Sequence, residues 1–183
     1  MADPPVLVDQ VADHLDREGV PFALIGAAAL AVHGVSRSTL DIDLLVTDPR
    51  VLERAFWASF GGRAAIDIRT GDAADPLAGV VRITSEGDRD VDVVVGRGSW
   101  EADIVARAEP MRRGGRDLRT ARVEDLILLK LYAGGSQDRW DIEQLLARSD
   151  RGALMAAVED RLLSLPPAVR RLWQSLAGDR GDG

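Results

Sequence analysis

Hydrophobic and polar positions follow helix-like and strand-like patterns in turn over the first 120 residues. Val8, Val11 and Leu15 recur at helical spacing and predict an amphipathic helix over residues 6–18. Short apolar runs bounded by Gly, Pro and Asp predict buried strands at residues 22–25, 41–46, 65–69, 79–84 and 91–95. Further helices are expected at residues 26–33, 49–60 and 100–108, and residues 111–122 are expected to form a hairpin or loop.

Beyond residue 120 the pattern is helical throughout. Helices are predicted at residues 123–133, 137–148, 150–163 and 168–176. This order of elements indicates the α+β class, with a core over residues 1–120 and carboxyl-terminal helices packed on it over residues 121–177. Residues 178–183 consist of Gly, Asp and Arg alone, and we expect a disordered tail there.

Composition and charge exclude several classes of protein. The chain has 183 residues, 46% of them apolar, which is enough to bury a core. It has no cysteine, which excludes disulfides and thiolate chemistry. The net charge of −7 argues against general binding of nucleic acid or anionic membranes. Neither a signal-peptide pattern nor a membrane-spanning apolar run is present, so we expect a cytoplasmic protein that does not associate with membranes.

Acidic residues interrupt two of the predicted strands. Asp41 and Asp43 flank Ile42, so their side chains point to the same face of a strand, about 6 to 7 Å apart. Asp92 lies in the Val-rich strand, and Asp90 precedes it on the same face. Solvated carboxylates at strand ends are one interpretation. The other is a cluster of three carboxylates that holds Mg²⁺ or Mn²⁺, because such oxygen ligands suit these cations.

A glycine turn precedes the acidic strand. Gly26 lies between an apolar strand and a segment of small residues, and such a strand–glycine–helix junction presents backbone N–H groups to a phosphate. Thirteen residues separate Gly26-Ala27 from Asp41-Ile42-Asp43. The turn and the acidic pair together favour a site for a phosphate ester that binds with metal ions.

On these residues the chain resembles the nucleotidyltransferase superfamily of the DNA polymerase β type. It is most similar to small bacterial members, the minimal nucleotidyltransferases and the toxin-like nucleotidyltransferases of toxin–antitoxin pairs. The resemblance rests on the glycine turn, on the lead-in at residues 37–40 and on Asp41-Ile42-Asp43. It also includes residues 122–134 and 138–142, which resemble the family's carboxyl-terminal helices, and it covers residues 20–147 in all.

The resemblance implies a fold, a reaction and a set of roles. The fold would be a nucleotidyltransferase fold, a mixed β-sheet flanked by helices. The reaction would transfer a nucleoside monophosphate from a nucleoside triphosphate to a hydroxyl group, with two Mg²⁺ ions. Asp41 and Asp43 would hold both ions, and Asp92 would complete the second site and deprotonate the acceptor. Contacts to the nucleotide are implied for Gly26, Ala27, Arg37, Ser38 and Lys130.

Two of these nucleotide contacts have an alternative interpretation. Lys130 is the one lysine in the chain and lies among leucines of a predicted helix, so it either contacts the triphosphate or extends to water. Arg37 is either a phosphate contact or a surface arginine.

The hairpin arginines, Arg112, Arg113, Arg116, Arg119 and Arg122, either approach a polyanion or are simply solvated.

The acceptor stays open at the level of sequence. A toxin-like enzyme would modify transfer RNA or a protein and would have an antitoxin-like partner. An aminoglycoside-type enzyme would modify a small molecule, and the acidic charge would attract a cationic one. A nucleotide- or partner-binding module without turnover is the third alternative. Ala27 stands where relatives have Gly or Ser, and Gly134 stands where many have Arg, which motivates that alternative.

Overall fold

The computed structural model describes residues 6–36, 41–60, 64–113 and 116–178. The chain divides into two compact units, residues 1–32 with 36–121 and residues 33–35 with 122–183. Gly178 ends the last helix, and the rest of the predicted tail lies outside the described residues. Across the described ranges, no helix combines the length and the hydropathy that a bilayer crossing requires.

The first unit is built on one mixed sheet. Its strands are β1 (Ala23–Ile25), β2 (Ile42–Val46), β3 (Ala65–Thr70), β4 (Gly79–Thr84), β5 (Val91–Val95), β6 (Glu109–Arg113) and β7 (Arg116–Thr120). They lie in the order β3-β4-β5-β2-β1-β7-β6. β2 runs parallel to β5 and β1 parallel to β7, and the other neighbouring pairs are antiparallel. The helices are α1 (Leu7–Arg17), α2 (Gly26–Val32) and α3 (Ser99–Arg107), and the predicted mixed α+β fold is confirmed.

Alternation along the central strands separates the core from the acidic residues. In β5, Val91, Val93 and Val95 have no exposed surface, whereas Asp92 lies on the opposite face. In β2, Leu44 is fully buried and Asp43 is half-buried. The apolar face of both strands therefore packs in the core, and the carboxylates share the other face.

The helix predicted at residues 49–60 is wrong. Two short 3₁₀ turns, Pro49–Leu52 and Arg54–Trp57, stand in its place, and Glu53 between them has an extended backbone (φ −96°, ψ 132°). The buried indole of Trp57 donates a 2.8 Å hydrogen bond to the Val51 carbonyl, which an α-helix would have used for residue 55. Trp57 also stacks on the buried His14 ring at 5.1 Å between centroids, so tertiary packing overrides the local helical pattern.

The second unit is helical, as predicted. Its helices are α4 (Val123–Ala133), α5 (Ser136–Arg148), α6 (Arg151–Arg161) and α7 (Pro167–Gly178). Gly134 ends α4 in the left-handed conformation at φ +70°, and its N–H donates to the Lys130 carbonyl at 3.0 Å. Gly134 therefore serves as a helix terminator.

Candidate active site

The glycine turn and the acidic strand meet in the first unit. β1 and β2 pair antiparallel with Ile25 opposite Asp43, which places Gly26 beside the Asp43 side chain. Gly26 has a φ of +63°, and a Cβ on it would lie only 2.0 Å from Oδ2 of Asp43. Glycine is required here for two reasons, its left-handed backbone and the close approach of the carboxylate.

The third predicted carboxylate lies on the neighbouring strand. β2 and β5 run parallel with Asp43 opposite Asp92 in the register, and adjacent strands are about 4.8 Å apart. Asp41 immediately precedes β2, two residues before Asp43. The fold therefore brings Asp41, Asp43 and Asp92 to one face of two adjacent strands. Asp90 joins this edge through its backbone, since its carbonyl accepts a 3.0 Å hydrogen bond from the Ile42 N–H.

An arginine that the sequence analysis did not single out bridges two of these carboxylates. Arg82 lies opposite Asp92 in the β4–β5 register and donates from Nε to Oδ1 at 2.8 Å and from Nη2 to Oδ2 at 2.6 Å. Its Nη2 is also 3.5 Å from Oδ2 of Asp41. The hydrogen bonds to Asp92 and the charges of nearby aspartates raise the pKa of the guanidinium further above its usual range. Arg82 is the one charged residue of β4, and a single charge in an apolar strand could have indicated a functional residue. The abundance of arginine, 22 residues in the chain, makes this signal hard to recognise.

The oxygen ligands of this cluster are of the chemical type that divalent cations bind. In the part of the chain that is described, no group of three acidic, histidine or cysteine side chains is already arranged to hold a metal ion. Asp41 and Asp92 converge on the Arg82 guanidinium, so a positive charge already occupies the space between them. Oxygen-only, carboxylate-rich ligands are those that Mg²⁺ and Mn²⁺ bind. The chemistry of these residues therefore fits such a cation, while their present arrangement holds the Arg82 guanidinium.

A cavity of about 520 Å³ opens beside Asp92. Asp92 and Arg82 line one part of it, and the turn at residues 70–77 lines another. Arg97 ties this turn in place by donating to the carbonyls of Gly71 at 3.1 Å and Asp72 at 2.5 Å.

Arg97 itself is held by a buried carboxylate. Glu101, which is 2% exposed, accepts hydrogen bonds from the N–H groups of Arg97 at 2.8 Å and Gly98 at 2.6 Å. A Cβ on Gly96 would lie 2.6 Å from Cδ of Glu101, so the carboxyl group packs closely against the turn after β5. This support leaves no distinct signal in the sequence, because Glu101 has the pattern of an ordinary acidic residue in the first turn of a helix.

The family model described as "Nucleotidyltransferase of unknown function (DUF6036)" matches residues 6–164. The chain belongs to this nucleotidyltransferase family. Its fold is similar to that of an antigenic nucleotidyltransferase-like protein from Paracoccidioides brasiliensis, with 17% identity, a TM-score of 0.57, and coverage of 94% of this chain and 87% of that one. It is also similar to ANT(2")-Ia in complex with adenylyl-2"-tobramycin, with 16% identity, a TM-score of 0.51, and coverage of 85% and 96%.

By sequence, no curated protein is a significant match. Identities of 16% and 17% show a shared fold and nothing finer. With the family match they confirm the expected superfamily and the expected class of enzyme, a transferase of nucleotidyl groups.

In the second unit of the nucleotidyltransferase, Lys130 is paired with two aspartates. Its Nζ lies 2.7 Å from Oδ1 of Asp138 and 2.8 Å from Oδ2 of the fully buried Asp141. Burial lowers the pKa of the Lys130 ammonium, but the hydrogen bonds and the negative charges of both aspartates together outweigh burial and raise the pKa above its usual value. Asp138 also caps α5, because its Oδ2 accepts from the Gly135 N–H at 3.0 Å. A phosphate contact at Lys130 stays a prediction.

Three of the hairpin arginines have partners within the first unit. Arg116 lies 2.7 Å from Oδ1 of Asp13 on α1, and Arg119 donates to the Ala108 carbonyl at 2.9 Å. Arg112 lies 3.5 Å from Asp117. These contacts favour a structural role over a surface for a polyanion.

Arg37 and Ser38, the predicted nucleotide contacts before β2, lie outside the described residues.

Proposed function

We propose that this nucleotidyltransferase is metal-dependent and transfers a nucleoside monophosphate from a nucleoside triphosphate to a hydroxyl group. One observation carries the proposal. Asp43 packs against the glycine turn and lies in register with Asp92, so the backbone that we propose for phosphate binding adjoins the carboxylates. The single charge of Arg82 neutralises only part of the three clustered carboxylates, and the remaining repulsion supports a role in binding metal ions.

Each residue of the site has a proposed role. Asp41, Asp43 and Asp92 would hold two divalent cations, Mg²⁺ or Mn²⁺. Bound there, the cations would neutralise the triphosphate and stabilise the charge that develops on the leaving pyrophosphate. The backbone of Gly26 and Ala27 would bind the triphosphate, because it adjoins Asp43. Arg37, Ser38 and Lys130 are proposed as further nucleotide contacts.

Asp92 is also the proposed general base. It borders the cavity, so an acceptor bound there would present its hydroxyl group to this carboxylate. The aspartate would take the proton of that hydroxyl as its oxygen attacks the α-phosphate and pyrophosphate leaves.

The cavity favours a small hydroxyl-bearing molecule as the acceptor. Its volume of about 520 Å³ lies within the usual range of small-molecule sites. The net charge of −7 favours a cationic acceptor. The paired arginines of the hairpin weaken the case for transfer RNA, and a protein acceptor or an antitoxin-like partner stays a sequence prediction. Nucleoside triphosphates are cytoplasmic metabolites, so we expect the enzyme to act in the cytoplasm.

Transfer of label from α-labelled nucleoside triphosphates tests the proposal. The protein is incubated with each nucleotide, Mg²⁺ and the small-molecule, RNA or protein fraction of a cell extract. We expect label in the small-molecule fraction, abolished by chelation and by joint Asp41→Asn and Asp43→Asn substitution. Asp103→Asn, an exposed acid on α3, is the control that retains transfer.

Each other outcome rejects a stated part of the proposal. Label that persists in the double variant rejects the carboxylate assignment. Label in RNA or protein instead rejects the small-molecule acceptor. Thermal stabilisation by a nucleotide without any release of pyrophosphate indicates a binding module rather than an enzyme with turnover.

A further inference from the structure

Arg82 occupies the carboxylates that the proposed cations require. Its guanidinium hydrogen-bonds both carboxylate oxygens of Asp92 and lies 3.5 Å from Asp41. We infer that Arg82 is a built-in counter-ion of the acidic cluster, which competes with divalent cations for Asp92 and Asp41 and so sets the metal affinity of the site. This inference rests on the proposed function, since it takes these carboxylates as metal ligands.

The competition follows from shared lone pairs and from charge. The bidentate pair uses both oxygens of Asp92, whose side chain is only 13% exposed and so has little access to other partners. A divalent cation on the same oxygens would lie within a few ångströms of the guanidinium and repel it. The Arg82 guanidinium and a divalent metal ion therefore exclude each other at Asp92. By thermodynamic linkage, each weakens the binding of the other to this carboxylate.

The position of Arg82 allows the exchange without disturbing the core. Its side chain is 44% exposed and borders the cavity beside Asp92, whereas the neighbours Val81 and Ile83 are fully buried on the other face of β4. Withdrawal of the guanidinium therefore moves a surface side chain and leaves the buried strand in place. It also frees Asp92, the proposed base, from two hydrogen bonds.

The same pair stabilises the protein while no metal is bound. Three carboxylates on one face repel each other, and the guanidinium neutralises part of that charge. Removal of Arg82 should therefore weaken the metal-free protein and strengthen cation binding at once. Removal of a residue with a merely structural role would destabilise the protein without strengthening cation binding.

Direct binding of Mn²⁺ without nucleotide tests the inference. The full chain is titrated by electron paramagnetic resonance of free Mn²⁺, as wild type, Arg82→Gln and Arg82→Lys. Arg69→Gln is the matched control, since Arg69 borders the same cavity but its guanidinium pairs with Asp67 at 2.9 Å. We expect about three- to tenfold tighter binding in Arg82→Gln, a smaller gain in Arg82→Lys, and no change in the control.

Thermal unfolding of the same variants gives a second measurement. Without metal, Arg82→Gln should melt below the wild type, and saturating Mn²⁺ should raise its melting temperature by more than that of the wild type. Equal or weaker Mn²⁺ affinity in Arg82→Gln overturns the inference, as does a similar gain in Arg69→Gln. If nucleotidyl transfer still requires Asp41 and Asp43 in that case, the proposed function stands and only the role of Arg82 falls.

Discussion

Gly26 gives the most direct test of how the backbone and the catalytic cluster depend on each other. Gly26→Ala forces a side chain into a left-handed conformation, which costs about 1 to 2 kcal/mol. Its Cβ would also lie 2.0 Å from Oδ2 of Asp43, and the two atoms must separate by about 1.4 Å to reach an ordinary contact of 3.4 Å. A displacement of about 1 Å in a catalytic group lowers rates on the order of a hundredfold.

Gly19→Ala is the matched control for this substitution. Gly19 has nearly the same backbone angle, φ +68°, but a Cβ there would have no neighbour within 4 Å. Both variants should lose similar stability through backbone strain, seen as a fall of roughly 2 to 8 °C in melting temperature. Gly26→Ala alone should lose Mn²⁺ affinity and transfer activity.

The assay is the rate of pyrophosphate release, measured beside thermal unfolding for both variants. If Gly26→Ala releases pyrophosphate at the wild-type rate, the close contact between Gly26 and Asp43 is not required and the reasoning is refuted. An equal loss of release in Gly19→Ala would show that general destabilisation, not displacement of the carboxylate, explains the effect.

Three further predictions concern buried charges. Asp141→Ala leaves the Lys130 ammonium without its fully buried partner and should lower the free energy of unfolding by about 3 to 5 kcal/mol, measured by urea denaturation. Asp138→Ala should lower it by less, and equal effects of the two substitutions would contradict this order. Because the folded pKa of Lys130 is raised above 10.5, the stability it contributes should be present below pH 10.5 and be lost as the pH rises through the folded pKa. Lys130→Met should remove that alkaline decline, and an unchanged decline would assign it to other groups. Glu101→Ala removes the acceptor of the part-buried N–H groups of Arg97 and Gly98, and should cost about 1 to 3 kcal/mol and raise the KM of the acceptor. An unchanged KM would show that the turn does not shape the acceptor cavity.

Local patterns accounted for much of the candidate site. The spacing of Asp41 and Asp43 places them on one face of any strand, because side chains alternate. The run Val91-Asp92-Val93 carries the same alternation, and Gly26 marks a turn that other residues disfavour. Each of these features depends on residues within a few positions of one another, so sequence reasoning reached them.

The pairing and register of the strands could not be predicted in the same way. Arg82 joins the cluster because β4 lies beside β5 in a register that sets it opposite Asp92, ten residues away. The contact of Arg97 with the turn at residues 70–77 spans about 25 residues and depends on the same sheet order. Neither contact leaves a periodic signal in the chain, because the sequence pattern around an arginine is the same whether its side chain contacts water or a carboxylate.

The sequence by itself determined most of the element types, the acidic face and the glycine turn, because backbone sterics and side-chain alternation act over neighbouring residues. Only the tertiary structure decided that 3₁₀ turns at residues 49–52 and 54–57 replace the predicted helix, since the indole of Trp57 takes the Val51 carbonyl. It also decided that Lys130 pairs with Asp138 and Asp141, and that Arg82 already neutralises the carboxylates that divalent cations would bind. The physical reason is the same for all three. Each side chain pairs with a residue six to ten positions away, across a turn or between consecutive elements, and the path of the chain there, which side-chain periodicity does not encode, sets the distance.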